Sequence, residues 1–303
     1  MKDENNHEDA KAIFRGKAGT PVFNTVTIVG VGLISGSFAL ALKEKNLVKR
    51  IIGVSRTEAS AKKALELGLI DEALPLEEAV AKSDFIYVAI PVDATIPVVL
   101  KIMDMINDKQ IVADAGSTKF ALSEALKDHP MRKRFVSTHP MWGTEYSGPE
   151  AAVYGAFTGR ACVICDIQQS DEKAASIIED IYRMLGMNIV FMESENHDIH
   201  AAYVSHISHI TSFALANTVL EKEKEEEAIF ELSGGGFEST VRLAKSAASM
   251  WVPVFMQNRE NVLDVLNEHI TQLRKFKASL EKENVAYLTE LIENANKIKR
   301  IIK

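Results

Sequence analysis

Between Val22 and about Met192, short runs rich in β-branched and aromatic residues alternate with helical ones, and that alternation constrains the fold more than any other feature. "PVFNTVTIVG", "RIIGVS", "SDFIYVAIPV", "QIVADAG", "RFVSTHP", "ACVIC" and "NIVFME" read as strands. "ISGSFALALKEK", "EASAKKALELG", "TIPVVLKIMDMI", "TKFALSEALKDH" and "EKAASIIEDIYRMLG" read as the helices between them. Parallel neighbours in a sheet cannot be joined by a tight turn and need a crossover, which a helix supplies. The pattern therefore predicts an α/β fold with a Rossmann-like, doubly wound, mostly parallel sheet. After Glu195 the strand signal stops. Residues 197–220, the segment around 228–250 and residues 251–303 carry helical periodicity, broken only by "SGGG" at 233–236 and by Pro253, and predict an all-α helical domain.

The first strand runs into "VGVGLISGS", residues 29–37. A strand, then G-x-G, then a helix is where a dinucleotide pyrophosphate sits. The first glycine permits the tight turn, the second lets phosphate approach the backbone, and the helix N-terminus offers free N–H donors. Gly30, Gly32, Leu33 and Ile34 are the candidates at this seam, and Ile90 and Pro91, after the third strand, join them. Ser35 stands where the third glycine is expected, with Gly36 behind it, so close packing falls to a small residue shifted by one position. The organisation read from this is a polar lead-in over 1–20, a dinucleotide-binding domain over 21–194 and a helical substrate and dimerisation domain over 195–303.

An acidic residue usually closes the second strand and holds the ribose 2′-hydroxyl of NAD. This chain offers Ser55, Arg56 and Thr57 there, a guanidinium and two hydroxyls that suit a 2′-phosphate. NADP is favoured over NAD on this ground; the competing reading has Glu58 doing the acid's work.

A net charge of −7 lacks the basic footprint that nonspecific nucleic-acid or anionic-membrane binding needs. No apolar stretch reaches the roughly 18 residues of a membrane span, and "MKDENNHEDA" is too polar for a signal peptide, so the expected location is cytoplasmic. "EKEKEEE", from Glu221, reads as a solvated helix end or loop. Cys162 and Cys165 lie on a strand with their side chains on opposite faces, as buried structural thiols, and no metal site is expected.

Ligands of open α/β sheets lie beyond the carboxyl ends of the strands. "DAGSTK" (114–119) and "THPMWGTEYSG" (138–148) follow strands, and the second gathers His139, Thr144 and Glu145 in a glycine-containing loop. Ser117 is placed to orient the His139 imidazole. In the helical half "SHISH" puts His206 and His209 on one face, which reads as the lining of a wet cleft. Two histidines without further ligands do not make a metal site. Arg242, in "SGGGFESTVRLA", is suited to a substrate carboxylate as a fork, and Trp251 either walls the same cleft or anchors the helical core.

"GVGLISGS", "DAGSTK", "HPMWGTEYSG", "HDIHAAYVSHISH" and "SGGGFESTVRLAKSAASMW", in that order, resemble the prephenate and arogenate dehydrogenase family of tyrosine biosynthesis, over about Val26 to Trp251. The resemblance implies a homodimer formed through the helical domain. It also implies a reaction in which oxidised nicotinamide takes a hydride from C4 of a cyclohexadienyl ring while the ring carboxylate leaves as carbon dioxide. His139 matches the catalytic histidine, which accepts a hydrogen bond from the substrate 4-hydroxyl, and Ser117 the serine that supports it. Arg242 matches the arginine that binds a substrate carboxylate. His209, Gly235, Thr144, Glu145 and Trp251 match the pocket beside it. Two departures stand out. Ser35 replaces a family glycine, implying a loosened or shifted pyrophosphate turn, and the bulky Trp142 is expected to reshape the pocket.

The expected function is oxidative decarboxylation of prephenate. Arogenate, with an amine that Glu145 would favour, is the nearest alternative. A β-hydroxyacid or imine reductase and a nucleotide-sensing interaction protein are the readings from other classes.

Overall fold

A computed structural model describes residues 21–224 and 232–301. Residues 1–20, and Glu225 to Glu227 of the acidic run, lie outside the described residues. Eight strands form one sheet in the order β3-β2-β1-β4-β5-β6-β7-β8. They are β1 (Phe23–Val29), β2 (Val48–Val54), β3 (Glu72–Ala73), β4 (Phe85–Val88), β5 (Ile111–Asp114), β6 (Phe135–Pro140), β7 (Ala161–Cys165) and β8 (Asn188–Met192). The crossover helices are α1 (Leu33–Glu44), α2 (Glu58–Glu66), α3 (Leu76–Ala81), α4 (Val92–Met105), α5 (Phe120–Leu126) and α6 (Glu172–Met184). β3 and α3 are too short to leave a periodic signal and were not anticipated.

The central strands are buried on both faces, and β4 shows how. Phe85 and Tyr87 point into one core with Phe38, Phe157 and Tyr182. Ile86 and Val88 point into the other with Val99, Ile102, Leu122 and Phe135. This is the period of two that a central strand must show. Cys162 and Cys165 are free, buried thiols of β7.

Every pairing is parallel except one: β6 and β7 run antiparallel, with His139 opposite Val163 and Pro140 opposite Cys162. The segment between them, residues 141–160, contains a single 3-10 turn (Pro149–Ala151) and no helix. Without a crossover the chain returns in the opposite direction.

The helical part follows as α7 (Ser194–Ala201), α8 (Ile207–Glu223), α9 (Gly235–Val241), α10 (Ala248–Gln257), α11 (Arg259–Glu281) and α12 (Val285–Asn296). Two local features depart from the periodic reading. A π-helical turn (Ala202–His206) joins α7 to α8. Pro253 lies inside α10, and the break comes later, at Asn258, whose φ of −105° and ψ of 30° leave the helical region. Among the described residues no helix is long and apolar enough to cross a membrane.

Candidate active site

At the end of β1, Gly30 has φ +83°, and a Cβ there would sit 2.6 Å from the Ala89 carbonyl oxygen, so the tight turn needs glycine. A Cβ on Gly32 would meet nothing within 4 Å, leaving open space in front of α1. Among the described residues the backbone N–H groups of Leu33 and Ile34, in the first turn of α1, have no hydrogen-bond partner, which leaves them for an anion. The seam therefore fits a pyrophosphate. Ser35 does the opposite of loosening it. Its hydroxyl donates to the Gly30 carbonyl (2.5 Å) and accepts from the Gly32 N–H (2.9 Å), closing the turn on itself. Close packing passes to Gly36, where a Cβ would lie 2.8 Å from Ala152.

At the tip of β2, Ser55 is half-buried and Arg56 exposed, with no ion-pair partner for Arg56 among the described residues. Thr57 caps α2, accepting from the Ser60 N–H at 3.2 Å. Glu58 is the first residue of α2, beyond the tip. Ile90 and Pro91 follow β4 and lead into α4, and the Ile90 side chain lies against the Gly30 turn.

His139 is near the end of β6, partly exposed. Its Nδ1 lies 2.8 Å from His197 Nε2, and His197 Nδ1 lies 2.8 Å from Asp198 Oδ1. Asp198 in turn accepts the N–H of Lys119 (2.8 Å) and of Phe120 (3.0 Å) at the start of α5. The Lys119 ammonium is fully buried, paired with Asp114 and donating to the Thr138 carbonyl at 2.7 Å. Burial, reinforced by His197, Lys119 and His206, holds the His139 pKa well below the ordinary 6.5, so its imidazole is neutral. Ser117 does not orient it. The position beside Nδ1 is taken by His197, and the half-buried Ser117 hydroxyl makes no hydrogen bond among the described residues.

His197, Asp198 and Lys119 were missed as site residues although "HDIH" and "DAGSTK" both drew attention. An adjacent histidine and aspartate at the start of a helix ordinarily face solvent; their burial, at 2% and 4% exposure, is a tertiary fact. The available signal was the run of three ionisable residues, His197, Asp198 and His200, just where the helical half begins.

Arg242 begins a 3-10 turn (Arg242–Lys245) that α8 holds through the Ser212 hydroxyl, which accepts the Ala244 N–H at 3.0 Å. Its Nη1 reaches Glu145 Oε2 at 3.0 Å, on the loop after β6. The Glu145 carboxyl is held below its usual range by a backbone hydrogen bond and by Arg242 and Lys245. His209 stacks on Trp251, ring centroids 3.4 Å apart, and its Nδ1 donates to the Ser205 carbonyl at 3.1 Å. Burial and nearby Arg242 lower its pKa. Thr144 is half-buried in the same loop as Glu145, its hydroxyl accepting the Tyr146 N–H at 3.3 Å.

Two expectations, for His206 and Trp142, need correction. His206 does not line an open cleft: it is 1% exposed, packed against Trp251 and Phe255, with Asn258 at 3.2 Å from its Nδ1 and burial lowering its pKa to about 4. The π-helical turn ending at His206 sets it behind the wall that His209 faces. Gly235, at the start of α9, is exposed, and a Cβ there would touch nothing within 4 Å. Trp142 turns into the core against Phe157 (centroids 5.9 Å) rather than into the pocket. Trp251 serves as both wall and anchor, stacked on His209 and packed with Val92 and Val254. Among the described residues no three His, Cys, Asp or Glu side chains are grouped to hold a metal.

A neutral imidazole thus stands at the carboxyl end of β6, and the loop that follows it is tied through Glu145 to a guanidinium from the helical half. Family models agree with both halves. "Prephenate dehydrogenase, nucleotide-binding domain" matches residues 38–191, and "Prephenate dehydrogenase, dimerization domain" matches residues 193–294. The chain is 30% identical to the prephenate dehydrogenase of Bacillus subtilis over 275 residues, 90% of this chain and 74% of that one. It is 27% identical to the cyclohexadienyl dehydrogenase of Zymomonas mobilis over 284 residues, 93% and 97% of the two chains. Among solved structures it resembles the prephenate dehydrogenase of A. aeolicus in complex with hydroxyphenyl propionate and NAD+, with TM-score 0.83, 31% identity and coverage of 92% and 97%.

Proposed function

This chain belongs to the prephenate dehydrogenase family, and from that premise we propose that it converts prephenate to 4-hydroxyphenylpyruvate, with NADP preferred to NAD. The observation that carries the reading is a neutral His139 on the sheet edge with Arg242 brought in from the helical half. When bound, the oxidised nicotinamide is the hydride acceptor. The chain's own part is to bind, orient and polarise. As hydride leaves C4, positive charge grows at the C4 hydroxyl, and a hydrogen-bond acceptor there stabilises it. Loss of the ring carboxylate as carbon dioxide returns its electron pair to the ring, so no net proton is released. His139 is thus required as an acceptor at this oxygen rather than as a permanent proton sink.

Arg242 takes a substrate carboxylate as a fork, with His209, Trp251 and Thr144 forming the adjoining wall. Ser117, its hydroxyl free, is the candidate to share the substrate hydroxyl with His139. Glu145 supports a second reading, arogenate, whose ammonium suits a carboxylate. Against that, Glu145 is already answered by Arg242, and Lys245 on the same turn adds positive potential. NADP is supported by the absence of a carboxylate at the β2 tip, where Ser55, Arg56 and Thr57 stand. Homodimer formation through the helical half is supported by exposed Leu273, Leu280, Val285 and Ile292 on α11 and α12.

The deciding experiment mixes purified protein with prephenate or arogenate and with NAD+ or NADP+, and follows absorbance of the reduced nicotinamide. Turnover of neither substrate overturns the reading. Sedimentation equilibrium checks the dimer.

A further inference from the structure

With His197 neutral, the groups behind His139 admit one arrangement of protons. Asp198 Oδ1 faces the N–H of Lys119, and Oδ2 faces the N–H of Phe120. Backbone N–H groups only donate, so both carboxylate oxygens are acceptors. His197 Nδ1, 2.8 Å from Asp198 Oδ1, therefore carries a hydrogen and donates it. In a neutral imidazole the second nitrogen is then a lone pair. That nitrogen, Nε2 of His197, lies 2.8 Å from His139 Nδ1, so His139 donates from Nδ1 and keeps its own lone pair on Nε2. A free histidine side chain in water prefers the other tautomer, and the partner of one ring nitrogen decides what the other presents.

We infer that His197 and Asp198 are positioning residues that hold His139 in the Nδ1–H tautomer, so that it offers the substrate hydroxyl an acceptor and not a donor. This rests on the reading of His139 as that acceptor. The relay has a direction. A charged His197 would donate from both nitrogens, His139 Nδ1 would have to accept, and a neutral His139 would carry its hydrogen on Nε2, where it can only donate to the substrate oxygen and no longer accept from the hydroxyl. Lys119 and His206 are the other charged or titratable groups facing His139, and both oppose added positive charge. Asp114 meets the Lys119 ammonium.

The relay is also clamped from the helical side. The Asn258 amide donates to the Asp198 carbonyl at 2.7 Å and to His206 Nδ1 at 3.2 Å. Asn258 lies at the break between α10 and α11, the hinge where Gln257 reaches Thr118 of the β5 loop.

Imidazole 15N chemical shifts of the full chain, labelled at histidine and free of substrate, test the tautomer without any reference to turnover. His139 is expected to show a hydrogen on Nδ1 and a lone pair on Nε2. In His197→Phe the pattern should reverse, kcat should fall about 10- to 100-fold, and KM and cofactor Kd should stay within about 2-fold. In His197→Gln, whose amide oxygen reaches the place of Nε2, the Nδ1–H pattern and most of kcat should return, and the acid limb of the kcat profile should move little. A wild-type His139 with its hydrogen on Nε2 overturns the proposal. So does a His197→Phe protein with unchanged kcat, or equal losses in both variants accompanied by weaker cofactor binding, which would mean packing alone. If neither prephenate nor arogenate is turned over, the functional reading fails while the spectra still decide the relay.

Discussion

Arg242 and Glu145, 97 residues apart in the chain, meet at 3.0 Å across the junction of the two halves. On the proposed role of Arg242, a substrate carboxylate and Glu145 compete for one guanidinium. An ion pair this open to solvent is weak, so Glu145→Gln is expected to lower KM for prephenate only modestly, by up to about 5-fold. Arg242→Gln loses a charge-assisted bond of about 1.5–3 kcal/mol and should raise KM about 10- to 100-fold with kcat little changed. Steady-state kinetics decide it; an unaltered KM in Arg242→Gln removes the carboxylate role.

His139→Ala should lower kcat by about 10² to 10⁴ with cofactor affinity intact. Because burial keeps the His139 pKa below the ordinary 6.5, the acid limb of kcat/KM in the wild type should lie below pH 6.5. A limb at or above that pH would contradict a neutral His139 imidazole.

Arg56→Ala should weaken NADP+ binding by about 10-fold or more and leave NAD+ nearly unchanged, since only the former carries a phosphate for the guanidinium to meet. Fluorescence titration with each reduced cofactor measures this. Equal losses for both would assign Arg56 to the surface.

Ser35→Ala removes the hydroxyl that ties Gly32 to Gly30 and unpairs a partly buried N–H and carbonyl, a cost of about 1 kcal/mol. Tm should drop by several degrees, and cofactor Kd should rise as the turn loses its shape. A variant as stable as the wild type would make the hydroxyl incidental.

Acid should destabilise the protein through its buried histidines. The unfolded chain takes up protons near pH 6.5, whereas burial keeps His206 neutral down to about 4, so stability falls as pH drops through that window. One such group steepens the dependence by about 1.4 kcal/mol per pH unit. Urea unfolding of His206→Asn should show a shallower slope than the wild type between pH 6 and pH 4.5. Identical slopes would deny that His206 is buried and neutral.

The sheet was legible because its strands alternate with helices of ordinary length and because Gly30 and Gly32 mark the first seam. What escaped was set by tertiary contact. The reversal at β7 depends on the absence of a crossover in residues 141–160, a negative signal. β3, of two residues, is defined by its partner β2 alone. Pro253 suggested a break that falls instead at Asn258, and no local rule distinguishes the two. Around His139 the residue types were visible, but the partner chosen was Ser117, near in sequence, rather than His197, brought in by a helix 58 residues on. Ser35 was read as a missing glycine, whereas its hydroxyl does through hydrogen bonds what a bare backbone cannot.

Because β7 runs against β6, the loop of residues 141–160 both leaves and rejoins the sheet at the catalytic rim. It carries Glu145 and Thr144, yet no strand register or crossover depends on its length. Changes of length around Thr144 and Glu145 therefore leave the pairing of β6 with β7 untouched, whereas Ala152 against Gly36 and Phe157 in the core anchor the later part of the segment to the sheet.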